Sequence, residues 1–291
     1  LILDLRYNGG GSLGEALELA GIFINEGSLT STKDKTGKVH FLKDPNRGTI
    51  YDGPLLVMVN TMSASASELV TAVLQDYHRA LVVGSPTYGK GSAQVILPMD
   101  TTGNFSKTTK YDSYVKVTRS KFYRVDGSTT QWKGVIPDIE LPDMYALDKL
   151  REKGTISALQ PDNSKPAIYQ ALPAIPFAQL KAQSNARVSA SNDFTAITKF
   201  VAWYKTMAGV RIIPLQWTGY TDYYKKVTDM YHSIEGEADS MKLTATNNSL
   251  DMQHRQLITE QSKTINEVNI KRIEKDNYIA ESYKIMQDWL R

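Results

Sequence analysis

The chain contains no cysteine. Disulfides, thiolate chemistry and cysteine-ligated zinc are therefore excluded, while the redox compartment is left open. Histidine is scarce as well. His40, His78, His232 and His254 lie far apart and show no HExxH or similar spacing, which argues against a metal site. No stretch approaches the run of about 18 apolar residues that a membrane-spanning helix needs. Charge of one sign is missing too: 34 Lys and Arg against 31 Asp and Glu leave a formal charge of +3, with no basic block. Nucleic acid is not an expected partner. An initiator methionine and a signal peptide are also absent. The chain opens on Leu1-Ile2-Leu3-Asp4-Leu5, a buried-strand pattern with no lead-in, and reads as a piece of something longer.

What is present is the composition of a soluble globular protein, 41% hydrophobic and 22% charged over 291 residues, enough for one large domain or two ordinary ones. Residues 1–145 alternate strand-like and helix-like segments. Leu1–Leu5 reads as a strand, Arg6–Gly11 as a tight turn, and Leu13–Asn25 as a helix stopped by Gly27. A polar connection with one short strand, Lys38–Leu42, leads to the strand Leu55–Val59. A serine-rich turn, the helix Glu68–Tyr77 and the buried strand Ala80–Val83 follow. This rhythm predicts an α/β layer architecture. Ala93–Leu97 and Tyr114–Arg119 read as a hairpin around a polar turn, and Gly134–Pro142 as an extended exit.

Composition shifts near residue 145. Asp148–Gln160 is short and charged, Pro161–Pro176 carries four prolines and reads as a linker or wrap, and Thr195–Met207 reads as a helix. The last 70 residues are polar, with sparse apolar positions at helical spacing, and predict one or two long surface helices.

Three serines, Ser63, Ser65 and Ser67, sit where the strand Leu55–Val59 hands over to a helix. The first N–H groups of a helix lack intrahelical partners and can face a developing oxyanion, so the junction suits a nucleophile. Its base is the open question. His78 and Asp76 are triad candidates, but His78 beside Arg79 reads more simply as an exposed helix-end residue, and the Gly-x-Ser-x-Gly elbow is absent. Gly84-x-x-x-x-Gly89-Lys90 fits most of a P-loop. That motif wants Ser or Thr next and then a helix, whereas Gly91 and the strand-like Ala93–Leu97 follow, so the P-loop is the weaker reading. Lys90 remains. A lysine accepts a serine proton only when neutral, which requires a pKa about two to three units below the usual value near 10.4. An ordinary exposed loop lysine is the competing reading. Gly9-Gly10-Gly11 after the first strand is either a plain tight turn or a nest of N–H groups for an anion.

Taken jointly, Leu3–Gly11, Ser63–Glu68, Gln75-Asp76-Tyr77, Pro86–Gly91 and Lys133–Asp138 resemble, in order and spacing, the C-terminal processing peptidases of the tail-specific branch. The motif-bearing likeness covers residues 1 to about 142, and the remainder resembles that branch's helical C-terminal region. The resemblance implies a crotonase-like α/β core of ββα repeats followed by a mostly helical region, with a protease core over 1–145 and a linker and helical domain over 146–291. It implies a serine endopeptidase with Ser65 as nucleophile, Lys90 as base and Gln94 orienting the lysine. If the chain is extended there, the even separation puts Lys90 and Gln94 on one face. Gly11 and Ala66 N–H groups would form the oxyanion hole. Gly10, Glu68, Asp76 and Thr87 would support the turn. No metal or cofactor is implied. The implied substrates are proteins or peptides with apolar, unstructured C-termini, an adaptor partner is admitted, and the implied location is the bacterial periplasm. Family members carry an upstream PDZ domain that this sequence does not contain. The alternatives are a non-proteolytic ligand-binding protein, since related folds carry acyl-CoA or retinoid ligands, and a pseudoprotease scaffold.

Overall fold

The computed structural model describes residues 1–44, 46–99, 113–207, 213–234, 243–250, 254 and 259–291. The polar turn expected inside the hairpin, and apolar positions such as Leu257 and Ile258, lie largely outside them. Two compact units are present. The first comprises Leu3–Asp138 and Tyr145–Ile175 with Leu1, the second Ile139–Met144 and Pro176–Arg291 with Ile2.

The first unit is organised by β1 (Ile2–Asp4), β4 (Leu56–Val59) and β5 (Leu81–Gly84), which lie side by side in the order β1-β4-β5. Strands β4 and β5 are parallel, with Leu56 opposite Leu81 and Val59 opposite Gly84. Leu56 N donates to Leu1 O and Leu5 N to Met58 O, so β1 runs in the same sense. Every residue of β4 and β5 is buried. That is why both read as unbroken apolar runs: a parallel sheet covered on both faces leaves no polar face to alternate with. Helix α1 (Leu13–Gly21) follows β1, and helix α2 (Ala66–Asp76) follows β4, each entered through a turn of small residues. Ser12 caps α1 by accepting from Glu15 N at 3.4 Å. Helix α2 is buried almost all round, from Ser67 to Leu74, and packs on α1 with Leu69, Val70, Val73 and Leu74 in the core.

An antiparallel sheet in the order β3-β2-β7-β6 completes the unit. It is built from β2 (Ser28–Asp34), β3 (Val39–Lys43), β6 (Ser92–Pro98) and β7 (Tyr114–Tyr123). The sequence reading took residues 28–34 for part of a polar connection. Their buried positions are filled by Ser28, Thr30 and Ser31 as well as Leu29, so no apolar alternation announces the strand. The Thr30 hydroxyl is satisfied by Tyr123 O at 2.7 Å, which is how a polar residue sits there without cost. Helix α1 ends at Gly21, four residues short of the expected boundary. Gly21 packs against the Asp44 carboxylate, which would have to move aside for a Cβ.

Residues 145–175 wrap the first unit. Lys121 Nζ donates to Gln160 O, Ala167 N to Val125 O and Leu172 N to Tyr77 O. The second unit contains the short strand β8 (Ile139–Glu140) and helices α3 (Phe177–Ala190), α4 (Asn192–Met207), α5 (Trp217–His232), α6 (Glu260–Glu274) and α7 (Asn277–Trp289) among the described residues. Helix α3 was not expected, because its Gln, Ser, Asn and Ala content leaves few apolar markers. The final stretch is broken where Asp276 caps α7 by accepting from Tyr278 N and Ile279 N. Helix α7 is not a surface helix: Ala280, Ile285 and Met286 are buried, and buried Glu281 pairs with Arg187 at 3.0 Å. The α/β class with a helical C-terminal region agrees with the sequence reading.

Candidate active site

Three turns meet at the C-terminal ends of β1, β4 and β5, the edge of a parallel sheet where function concentrates. They are Arg6–Gly11, Asn60–Ser65 and Ser85–Gly91. Hydrogen bonds stitch the first two together: Tyr7 N and Met62 N both donate to Asn60 Oδ1, Ala64 N donates to Asn8 O, and Ser63 Oγ donates to Leu5 O at 2.8 Å. Tyr88 N donates to Ser63 O at 2.9 Å and brings in the third.

Among the three serines, Ser63 is fully buried and its hydroxyl is occupied twice, by Leu5 O and by Asn60 N. Ser67 is buried in the first turn of α2. Only Ser65 is partly open to solvent, and it stands at the N-cap of α2 with φ 59° and ψ −114°. A left-handed φ is costly for a residue with a side chain and persists where surroundings over-determine it. A sharp strand-to-helix turn of this kind lifts a hydroxyl clear of the sheet. Immediately beyond, Ala66 N begins the helix. Neither Ala66 N nor Gly11 N donates to another protein group among the described residues.

Gly10 is where the first turn touches the second. Its φ is +93°, and a Cβ there would lie 2.6 Å from Ala64 O, 2.7 Å from Ala66 N and 2.9 Å from Ser65 Cβ. A Cβ on Gly11 would meet nothing within 4 Å. Gly10→Ala is therefore expected to displace the serine turn and lower any turnover by about 100-fold, the scale of an ångström-sized misplacement. Gly11→Ala keeps its N–H and should cost little. Parallel measurement of kcat/KM in the two variants checks this.

Glu68 ties the serine turn to the lysine turn. It is completely buried, and its two carboxylate oxygens accept four hydrogen bonds. Oε2 accepts from Ser65 N at 2.7 Å and Lys90 N at 2.9 Å. Oε1 accepts from Thr87 Oγ1 at 2.6 Å and Gly89 N at 2.7 Å. One oxygen thus holds the backbone nitrogens of Ser65 and Lys90 no farther apart than the sum of its two bond lengths. Burial pushes the Glu68 carboxyl up to about 7, with the Thr87 hydroxyl and the three backbone donors pulling the other way. Thr87 is buried and accepts in turn from Val135 N at 2.7 Å.

The lysine side chain is half-buried, and no hydrogen bond joins Lys90 Nζ to Ser65 Oγ among the described residues. After Lys90 the chain enters strand β6 and not a helix, which removes the P-loop reading. Gln94 is exposed on β6, which starts at Ser92, two residues after Lys90. Asp76 closes the far end of α2, a helix about 16 Å long. There it pairs with Arg124 at 2.5 Å and does not touch the serine turn. Burial raises its carboxyl and Arg124 opposes that rise. His78 sits at the same far end with φ 53°, its Nδ1 2.9 Å from Leu172 O, so it does not face Ser65. Asn8 and Asn60 stand in the motifs read from the sequence, but their part in joining the two turns is not legible there. Asn60 directly follows β4, and its place between a buried strand and a serine turn was the available signal.

Both parts of the chain are similar to known proteins. Residues 1–141 match the family model Peptidase family S41, and residues 145–291 match the model described as C-terminal domain of tail specific protease. The chain is 34% identical over 204 residues to a tail-specific protease of Haemophilus influenzae, covering 68% of this chain and 29% of that protein. It is 35% identical over 149 residues to a carboxy-terminal-processing protease of Bartonella bacilliformis, covering 50% of this chain and 32% of that one. A solved photosystem II D1 C-terminal processing protease gives a TM-score of 0.43 at 29% identity, over 54% of this chain and 39% of that one. The chain thus spans about a third of the length of the curated relatives it matches. With both of its halves matched, it belongs to peptidase family S41, in the branch of the tail-specific, C-terminal processing proteases.

Proposed function

We propose that this chain carries the catalytic core and helical tail of a serine endopeptidase that works by a Ser65–Lys90 dyad, with the core in residues 1–145. One observation carries the reading: a single buried carboxylate oxygen of Glu68 is hydrogen-bonded to the backbone of both residues. The lysine side chain has four rotatable bonds, which from so near a backbone suffices to bring Nζ to Ser65 Oγ. Hydrogen bonds between reacting groups often tighten only when substrate is bound.

In the first step neutral Lys90 Nζ takes the Ser65 proton as Oγ bonds to the substrate carbonyl carbon. The carbonyl π electrons move to oxygen, where Gly11 N–H and Ala66 N–H bind the oxyanion. The C–N bond then breaks, and the Lys90 ammonium returns its proton to the leaving amine. In deacylation Lys90 takes a proton from water, whose oxygen attacks the ester carbon. The acyl C–Oγ bond breaks and Ser65 recovers its proton. Gln94 orients the lysine in this scheme only if substrate binding brings the two together. Substrates are proteins with apolar, unstructured C-termini, and the site of action is the periplasm. The sequence likeness to the tail-specific branch is what supports both.

The test uses the full-length protein and an unfolded reporter ending in an apolar tail, beside the same reporter ending in a charged tail. Cleavage of the first, faster by about tenfold or more, is expected. Equal rates would remove the tail preference, and no cleavage of either would remove the peptidase.

A further inference from the structure

The turn that carries Lys90 is gripped from two sides, and Glu68 accounts for only one of them. The other grip comes from Arg151 and Glu152. Both stand beyond the residues matched to the peptidase family and within those matched to the C-terminal domain of tail specific protease. They fold onto the first unit.

Arg151 Nε and Nη2 both donate to Thr87 O, at 3.0 and 2.8 Å, and Nη2 also reaches Lys133 O at 2.6 Å. Glu152 N donates to Tyr88 O at 3.1 Å. Glu152 Oε1 accepts from Gln131 Nε2 at 3.2 Å, and Oε1 of that buried glutamine accepts from Gly91 N at 2.8 Å. Gly89 O is taken by Trp132 N at 2.8 Å. With Glu68 on Gly89 N and Lys90 N, the backbone is anchored on both flanks of the lysine.

A guanidinium directed at main-chain carbonyls fixes geometry, because its planar fork sets the direction as well as the distance of each bond. We infer that Arg151 and Glu152 are positioning residues for the lysine base: they hold the outer edge of the Thr87–Gly91 turn so that Nζ swings toward Ser65 from a fixed Cα. This rests on Lys90 acting as the base. It assigns to the C-terminal segment a part in the chemistry of the core, through the turn and without touching substrate.

The experiment measures kcat, KM and the thermal midpoint of the full-length protein on the apolar-tailed reporter, for Arg151→Gln, Arg151→Lys, Glu152→Ala and Lys90→Ala. Arg151→Gln is expected to lower kcat about 30- to 100-fold, with KM within about twofold and the midpoint within a few degrees, since the loss is one of alignment. Arg151→Lys should recover about tenfold, because an ammonium still reaches Thr87 O without the fork. Glu152→Ala should lower kcat about three- to tenfold, Gln131 Nε2 retaining Leu159 O as an acceptor. The inference is overturned if Arg151→Gln keeps wild-type kcat. It is also overturned if kcat, KM and the midpoint all collapse together with no recovery in Arg151→Lys. Should Arg151→Gln fail to fold, unchanged kcat in folded Glu152→Ala overturns it as well. Lys90→Ala separates the two readings: activity retained there removes the base assignment itself, whereas activity lost there and kept in Arg151→Gln removes only the positioning role.

Discussion

Ser65→Ala and Lys90→Ala are each expected to lower turnover of an unfolded substrate by about 10³- to 10⁴-fold, and the double variant by no more than either alone. The reason is that the two act in one step. Without Oγ no acyl-enzyme forms, and without the amine the hydroxyl keeps its proton. Neither change should disturb the fold, because Ser65 and Lys90 are both only partly buried and Glu68 binds their backbone nitrogens, which alanine preserves. What survives would come from the Gly11 and Ala66 N–H groups and from substrate binding. His78→Ala should leave the rate within about twofold, since His78 lies at the other end of α2. Steady-state kinetics on the four variants, with circular dichroism to confirm folding, makes the comparison.

The second large effect is expected at Glu68. Its four partners are all donors, so the site needs a group that only accepts, which is the ionised carboxylate. Glu68→Gln keeps the shape but turns an NH₂ toward either the Ser65 and Lys90 nitrogens or the Thr87 hydroxyl and Gly89 nitrogen. Two buried donors then face a donor. The expected cost is about 3–5 kcal/mol in stability, with turnover down at least about 100-fold as the two turns drift apart.

Protonation of the native residue should act in the same direction on activity. With the carboxyl held at about 7, kcat/KM should fall as pH drops through that value, an acid limb that Glu68→Gln would lack. The stability linkage has the opposite sign. The folded pKa lies above the unfolded one, so the native state holds the proton more tightly. The group's contribution favours the fold at low pH and is lost as pH rises from the usual carboxylate range to about 7, a change of about 3 kcal/mol. Denaturant titrations of the wild type and Glu68→Gln at pH 5 and pH 8 would separate this group from the rest. The wild type should gain relative to the variant on going to the lower pH.

How far the sequence carries depends on what fills each buried position. Leu55–Val59 and Ala80–Val83 were legible because both faces of β4 and β5 are apolar, and helix α1 from its apolar residues at helical spacing. Strand β2 was not, since Ser28, Thr30 and Ser31 fill buried positions, and the Thr30 hydroxyl meets Tyr123 O only once β7 is in place. Choosing Ser65 among three serines required the family likeness, and the fold adds a physical ground in the burial of Ser63 and Ser67. Glu68 was legible as a supporting residue, but its reach to Lys90, 22 residues on, depends on two turns meeting across the sheet. Arg151 lies still farther along the chain, at 64 residues from Thr87, and no local pattern marks it.

The central claim is that the junction before α2 presents Ser65 as a nucleophile made reactive by Lys90. The most direct measurement is the rate and site of labelling by a fluorophosphonate, read by peptide mass spectrometry on the full-length protein. The account predicts a single adduct on Ser65, formed about 10³-fold more slowly in Lys90→Ala. An adduct on Ser63 or Ser67, or equal labelling rates with and without the lysine, would contradict it.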